Sequence, residues 1–108
     1  MAITLATLTA GAVVGASVVT LYTAPALTHA KVTAAVFTNP TGAPTALTIQ
    51  VSRTGGTTLT LISAMPLSAG QAYPSPELSG LVLNPGDTVT AQATVAASIN
   101  VQMSGLTF

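Results

Sequence analysis

Charged side chains are nearly absent from this chain of 108 residues. Only 4% are Asp, Glu, Lys or Arg, against roughly 25% in typical soluble proteins. Nucleic-acid binding needs several Lys or Arg residues to neutralise phosphates, and an anionic membrane surface attracts proteins through the same charges, so we expect neither partner. The charged residues are Lys31, Arg53, Glu77 and Asp87, and they sum to a formal net charge of +0.

Cysteine is absent, and aromatic residues make up only 4% of the chain. Without cysteine the fold contains no disulfide, so its stability must come from burial and from backbone hydrogen bonds. The few aromatic residues are scattered along the chain and do not alternate with basic residues, as they would in a stacking platform for bases. Packing in the core or at an interface is the expected role of each ring.

Groups capable of acid–base chemistry are equally scarce. Asp87 follows Pro85 and Gly86, and we predict that it closes a turn, while Glu77 is expected to be a solvent-exposed carboxylate. His29 is the single histidine, and no nucleophile-elbow or dinucleotide motif accompanies it, so we expect a surface or interface residue. We therefore predict that the protein is not an enzyme and has no catalytic, cofactor-binding or metal-ligating residues.

The N-terminal segment is apolar and uncharged, and the mean hydropathy of the chain is +0.70. A secretory signal would begin with basic residues, and a membrane span would be less often interrupted by threonine and glycine. We favour β structure instead. Residues 1–16 are predicted to form an extended N-terminal arm, which reaches a neighbouring subunit, and a loop. We expect the domain to stay folded without the arm. Residues 17–108 are predicted to form the folded domain.

Segments of alternating polarity, separated by Pro- and Gly-rich turns, recur at short spacing from residue 17 onward. No segment favours a helix, and the prolines at 74 and 76 limit residues 73–83 to a short or edge strand. These features predict an all-β fold: an antiparallel β-sandwich or jelly roll of about eight strands. The clearest strands are residues 17–23, 30–38, 45–53, 57–62, 88–95 and 99–108.

The alternation also predicts which side chains face the core. In residues 45–53 the apolar face is Leu47, Ile49 and Val51, and residues 99, 101 and 103 form the equivalent face of the last strand. For residues 30–38 the pattern predicts one face formed by residues 32, 34 and 36 and the opposite face formed by residues 31, 33, 35 and 37.

The predicted polar faces consist of Thr, Ser, Gln and Asn rather than Lys and Glu. Soluble sandwiches usually protect exposed sheet edges with charge, especially lysine. Surfaces near zero net charge also tend to associate. We therefore expect that copies of the chain or a partner protein cover much of this surface.

The order of several turn motifs along the chain carries a resemblance to a known group of proteins. The motifs are residues 20–26 (TLYTAPA), 68–70 (SAG), 81–89 (LVLNPGDTV), 97–101 (ASINV) and 104–106 (SGL). Their order resembles that of small β-sandwich virion proteins of tailed bacteriophages, most closely capsid decoration (cement) proteins, over most of the chain from Thr20 onward. Leu27 departs from the pattern, because a glycine is expected there.

This resemblance implies a structural role on the exterior of the virion. A decoration protein binds the major capsid protein and stabilises the shell, and a homo-oligomer, with a trimer favoured, is the expected state. The family implies no catalytic residues and no cofactor.

Two alternatives remain open at this point. A tail or head–tail structural component would have the same fold but a lower copy number. A host-surface binding module would need an aromatic platform or a carboxylate cluster, and neither is visible in the sequence.

Overall fold

The computed structural model describes residues 4–75, 78–95 and 99–108, and the regular elements in these ranges are all β-strands. The larger sheet has the order β1-β9-β3-β6, with β7 also paired to β3, and the smaller sheet has the order β2-β8-β4-β5. The strands are β1 (Thr4–Val14), β2 (Val19–Thr23), β3 (Ala30–Thr38), β4 (Thr45–Ser52), β5 (Thr58–Leu67), β6 (Ala72–Pro74), β7 (Val82–Leu83), β8 (Thr88–Ala93) and β9 (Ile99–Thr107).

The strand order is that of a jelly roll. Four nested antiparallel pairs, β1 with β9, β2 with β8, β3 with β6 and β7, and β4 with β5, make one long hairpin whose tip is the β4–β5 turn. Rolling this hairpin places its pairs alternately in the two sheets. The predicted all-β antiparallel fold is confirmed, and of its two forms the topology selects the jelly roll, in which β6 and β7 share one strand position.

The core lies between the sheets and follows the predicted alternation in β4 and β9. Leu47, Ile49 and Val51 are fully buried, and the intervening residues of β4 are half-buried. Residues 99, 101 and 103 of β9 are buried, whereas residues 100, 102 and 104 are exposed. Period-two alternation sufficed here because neither run is interrupted by a bulge on its own strand.

In β3 the predicted faces are wrong beyond Val32. The pairing of β3 with β9 shifts register between Val32 and Ala34, which is a β-bulge. Ala30 and Val32 are buried before the bulge, Ala35 and Phe37 are buried after it, and residues 33, 34 and 36 are exposed. A bulge adds one residue and so moves the following side chains to the opposite face, which brings the large Phe37 ring into the core.

The N-terminal segment is not an arm followed by a loop. Residues 4–14 form β1, which pairs with β9 from Thr4 opposite Thr107 to Val14 opposite Ile99, and the connection to β2 begins only at Gly15. Leu8 and Val14 belong to the buried core. Because β1 hydrogen-bonds to β9 and contributes to the core, residues 4–14 are part of the folded domain that was expected to begin at residue 17. Residues 1–3 lie outside the described residues.

Strand β5 is longer than predicted and continues through Pro66 to Leu67. Its pairing with β4 shifts register twice, and Ala64 has a positive φ of 47°. Because β5 is an edge strand, proline and bulges are tolerated there at little cost to the sheet. The prediction of short edge strands in residues 73–83 is confirmed by β6 and β7.

The loops gather at two ends of the roll. The Asp87 end contains the connections 24–29, 53–57 and 84–87, and the Asn39 end contains the connections 15–18, 39–44 and 68–71. At the Asn39 end, the buried Asn39 amide donates to the carbonyls of Ala43, Leu67 and Ser68 at 2.9–3.2 Å. One side chain therefore holds two loops of that end together.

We predict that Gly105→Ala destabilises the fold by about 3 kcal/mol, because a Cβ at this position in β9 would overlap the backbone carbonyl of Lys31 in β3. Gly42→Ala is the matched control, since no heavy atom lies within 4 Å of its added Cβ. The control should change stability by less than about 0.5 kcal/mol. Urea unfolding of both variants measures the difference, and equal midpoints would contradict the strand packing described.

Candidate binding surface

Asp87 connects three loops at one end of the roll. Its Oδ1 accepts a hydrogen bond from the backbone N–H of Thr54 at 2.7 Å. Its Oδ2 accepts from the N–H of Asn84 at 3.0 Å and from Nη1 of Arg53 at 2.8 Å. The backbone carbonyl of Asp87 accepts from the N–H of Ala24 at 2.9 Å. The predicted turn is also present, because the N–H of Asp87 donates to the carbonyl of Asn84 at 3.0 Å and Gly86 has a φ of 87°.

The environment of Asp87 favours its ionised form. Asp87 is 1% exposed, and this burial by itself would raise the pKa of the carboxyl group. The N–H of Thr54, the Arg53 guanidinium, the N–H of Asn84 and the Thr54 hydroxyl outweigh burial and lower the pKa from 3.8 to about 2. The hydrogen bonds of Asp87 go to residues of the neighbouring loops, so Asp87 orders these loops.

His29 is not paired with Asp87. Its ring stacks on Phe108 with centroids 5.5 Å apart and 13° between the planes. The two residues also exchange backbone hydrogen bonds of 2.8 and 3.0 Å. Glu77 lies outside the described residues. The described part of the chain thus brings no acid–base pair together at His29.

No metal-ligating cluster appears in the described ranges, where no three His, Cys, Asp or Glu residues are grouped. Within those same ranges, no helix is long and apolar enough to cross a membrane. Three of the four aromatic rings are buried or pack against the core: Phe37 is fully buried, and Tyr22 and Tyr73 are half-buried against it.

The outer face of the smaller sheet is polar but uncharged. Side chains pair across its strands: Gln50 Nε2 donates to the Thr60 hydroxyl at 3.2 Å, and the hydroxyls of Ser52 and Thr58 lie 3.3 Å apart. These contacts satisfy neighbouring polar groups within the sheet. The face therefore presents neutral hydroxyl and amide groups.

A shallow depression of about 360 Å³ lies on the smaller sheet near the Asn39 end. It contains small or uncharged side chains and no titratable group, so it offers no chemistry beyond contact and hydrogen bonding. Its lining residues are Ala16, Ala46, Thr48, Gln92, Ala93 and Thr94.

The edge strands carry no charged residue. This holds for β1 in the larger sheet, for β2 and β5 in the smaller sheet, and for the short strands β6 and β7. Strand β5 combines several local features that interrupt further pairing, namely its register shifts, the positive φ of Ala64 and Pro66, and the short strand β6 contains Pro74. The edge of β1 has register shifts of its own but neither lysine nor proline.

Large apolar side chains are exposed at both ends. Those at or near the Asn39 end are Val13, Val18, Val36 and Val95, and those at or near the Asp87 end are Leu27, Leu59 and Val82. Leu27 is 96% exposed, far more than the other exposed apolar residues.

Leu27 also has an unfavourable backbone conformation. Its φ is 62°, and the N–H of Thr28 donates to the carbonyl of Pro25 at 3.1 Å, which closes a tight turn. An L-residue with a side chain pays about 1–2 kcal/mol for this left-handed region, whereas glycine adopts it freely. The sequence marked Leu27 as a departure from an expected glycine, and the turn forms all the same.

At the end of the roll where the Leu27 loop lies, the outer face of the larger sheet carries a small mixed surface. Lys31 of β3 lies opposite Val82 of β7 on one side and opposite Leu106 of β9 on the other. Lys31 and Val82 are exposed, and Leu106 is half-buried. The stacked rings of His29 and Phe108 form the next row toward the end of the roll. We call Leu27, His29, Lys31, Val82, Leu106 and Phe108 the Asp87-end patch.

Sequence reasoning missed this patch because its members come from three strands and a loop. The one available signal was Leu27 at a glycine-like turn position. The register of β7, β3 and β9, which brings the other members together, cannot be read from local alternation.

The low pKa of Asp87 predicts acid sensitivity. The ionised carboxylate stabilises the fold above its unfolded-state pKa of about 3.8, and this contribution disappears as the pH falls toward its folded-state value of about 2. Wild type should lose about 1–2 kcal/mol of unfolding free energy across this interval relative to Asp87→Asn, measured by urea unfolding at each pH. Parallel pH profiles for the two proteins would contradict the assignment.

Comparison with known proteins gives a likeness of fold alone. No family model and no curated protein sequence matches the chain. Among solved structures, a chain from the structure of infectious bursal disease virus Gx strain matches with a TM-score of 0.53 and 16% identity. A chain from the T13 particle of the same virus matches with a TM-score of 0.56 and 12% identity. Both matches cover 98% of this chain, which spans only 31% and 30% of the respective viral chains.

Proposed function

We propose that this protein is a structural component of a virus particle, and specifically a decoration protein on the exterior of a tailed-phage capsid. The observation that carries the proposal is the jelly-roll topology, matched over 98% of the chain by chains from virus structures. Jelly rolls also occur in lectins and other proteins, so the fold alone is compatible with several functions, of which a virion role is one. The turn motifs resembling tailed-phage virion proteins favour that role among them.

The uncharged surface supports the same role. Edge strands without charge, and the smaller sheet's outer face of neutral hydroxyl and amide groups, are poorly protected against association. A protein that remains assembled on a particle needs no such protection, because its neighbours cover these surfaces. The major capsid protein and further copies of this chain, with a trimer favoured, are the partners we propose.

The mechanism is the burial of apolar surface at many equivalent sites. Each square ångström of apolar surface removed from water contributes about 25 cal/mol, and a stable interface buries about 1,200–2,000 Å² in total. Association entropy offsets much of this gain at a single site. Repetition over the shell lattice makes the sum large, so that the shell resists the pressure of the packaged genome. We propose no catalytic step and no cofactor.

Particles assembled without this chain test the proposal. They should release their genome at a lower temperature than wild-type particles, and adding the purified protein should restore the wild-type temperature, because the added copies again link neighbouring shell subunits. Fluorescence of a DNA-binding dye during heating measures the release. Unchanged release temperatures, or no restoration on adding the protein, would overturn the decoration role.

The copy number separates decoration from the tail alternative. Quantitative mass spectrometry of purified particles, referenced to the major capsid protein, should find this chain in a ratio that matches sites repeated over the shell. A ratio that matches a single tail or head–tail ring would assign it there instead.

A further inference from the structure

We infer that the Asp87-end patch is the surface that docks on the particle, and that its partner is a protein surface with an apolar pocket beside a carboxylate. This inference rests on the proposed function and adds to it which face makes the contact and what chemistry it meets.

Leu27 is the first part of the argument. Leu27 adopts a left-handed conformation, which is unfavourable for a residue with a side chain, and its side chain is 96% exposed and so gains no burial when the isolated protein folds. Glycine at this position would remove the backbone cost. Burial of the side chain in a partner's pocket offsets that cost, and strained residues are commonly found at binding sites.

The support beneath Leu27 is rigid. The N–H of Ala24 donates to the carbonyl of Asp87 at 2.9 Å, and the N–H of Gly86 donates to the carbonyl of Ala24 at 2.9 Å. Arg53 Nη1 bonds both Asp87 Oδ2 and the carbonyl of Val82, each at 2.8 Å. The Leu27 loop is thus held by the backbone of Gly86 and Asp87, and Val82 is held by the Arg53 side chain that also pairs with the Asp87 carboxylate. A preorganised surface loses little conformational entropy on binding.

The charge of the patch indicates the partner's chemistry. Lys31 is exposed between two apolar side chains, Val82 and Leu106, and no side-chain carboxylate of the described residues forms an ion pair with it. The one side-chain carboxylate among the described residues, Asp87, is buried and paired with Arg53. A complementary surface would therefore place an acidic residue against Lys31 and apolar residues around it.

The Asn39 end is the competing surface, and it is chemically simpler. No charged side chain of the described residues lies among its exposed apolar residues, which are Val13, Val18, Val36 and Val95. Interface centres are enriched in aromatic side chains. The stacked His29 and Phe108 rings supply them at the Asp87 end. Near the Asn39 end, Phe37 is fully buried and Tyr73 packs against the core.

Binding of purified variants to particles assembled without this chain tests the inference. Leu27→Gly should weaken binding at least tenfold while its melting temperature stays equal to wild type or rises, because glycine relieves the left-handed strain. Lys31→Glu should also weaken binding, and the loss should be larger at low salt than at high salt, because the new glutamate faces the partner's carboxylate. Val18→Ser is the matched control at the Asn39 end, where a residue 59% exposed is changed without effect on binding. Co-sedimentation measures the affinity.

The other outcomes each overturn a defined part of the account. If wild type binds and Leu27→Gly and Lys31→Glu bind equally well, the docking face is wrong while the decoration role stands. If the two variants lose self-association in analytical ultracentrifugation but keep particle binding, the patch faces a second copy and the inference fails. If wild type itself does not bind, the proposed function and the inference fail together.

Discussion

The buried carboxylate of Asp87 organises one whole end of this jelly roll. It accepts hydrogen bonds from Thr54, Asn84 and Arg53, and its backbone carbonyl holds Ala24. A buried carboxylate without these donors would be strongly destabilising, so the loops that supply them are fixed as a group. Asn39 does the same at the opposite end with an uncharged amide. Apolar packing between the two sheets is thus complemented by the hydrogen bonds of the buried Asp87 at one end and of the buried Asn39 at the other.

The sequence predicted those elements whose local pattern decides their structure. In β4 and β9 alternation alone identified the buried face, and the turn around Gly86 followed from its residues. Prediction from the local pattern failed where tertiary contacts decide the structure. The bulge in β3 moves Phe37 into the core, and the pairing of β1 with β9 turns an expected arm into a strand. Both depend on what lies across the sheet, which no local pattern encodes.

The candidate surface shows the same division. Leu27 was visible in the sequence as a leucine at a glycine-like position, and the scarcity of charge indicated a covered surface. The grouping of Lys31, Val82 and Leu106 required the strand register. Neutral edges and a strained, exposed leucine are unfavourable in a free monomer, and both become reasonable in a protein held against other subunits. The permanent assembly that we propose would account for both features of the surface.

Cryo-electron microscopy of the virus particle encoded by the same genome tests the central claim most directly. The account predicts density for this jelly roll at sites repeated over the outer surface of the capsid, with the Asp87 end toward the shell. Absence of the chain from the particle would contradict the virion role, and density confined to the tail would contradict the decoration role.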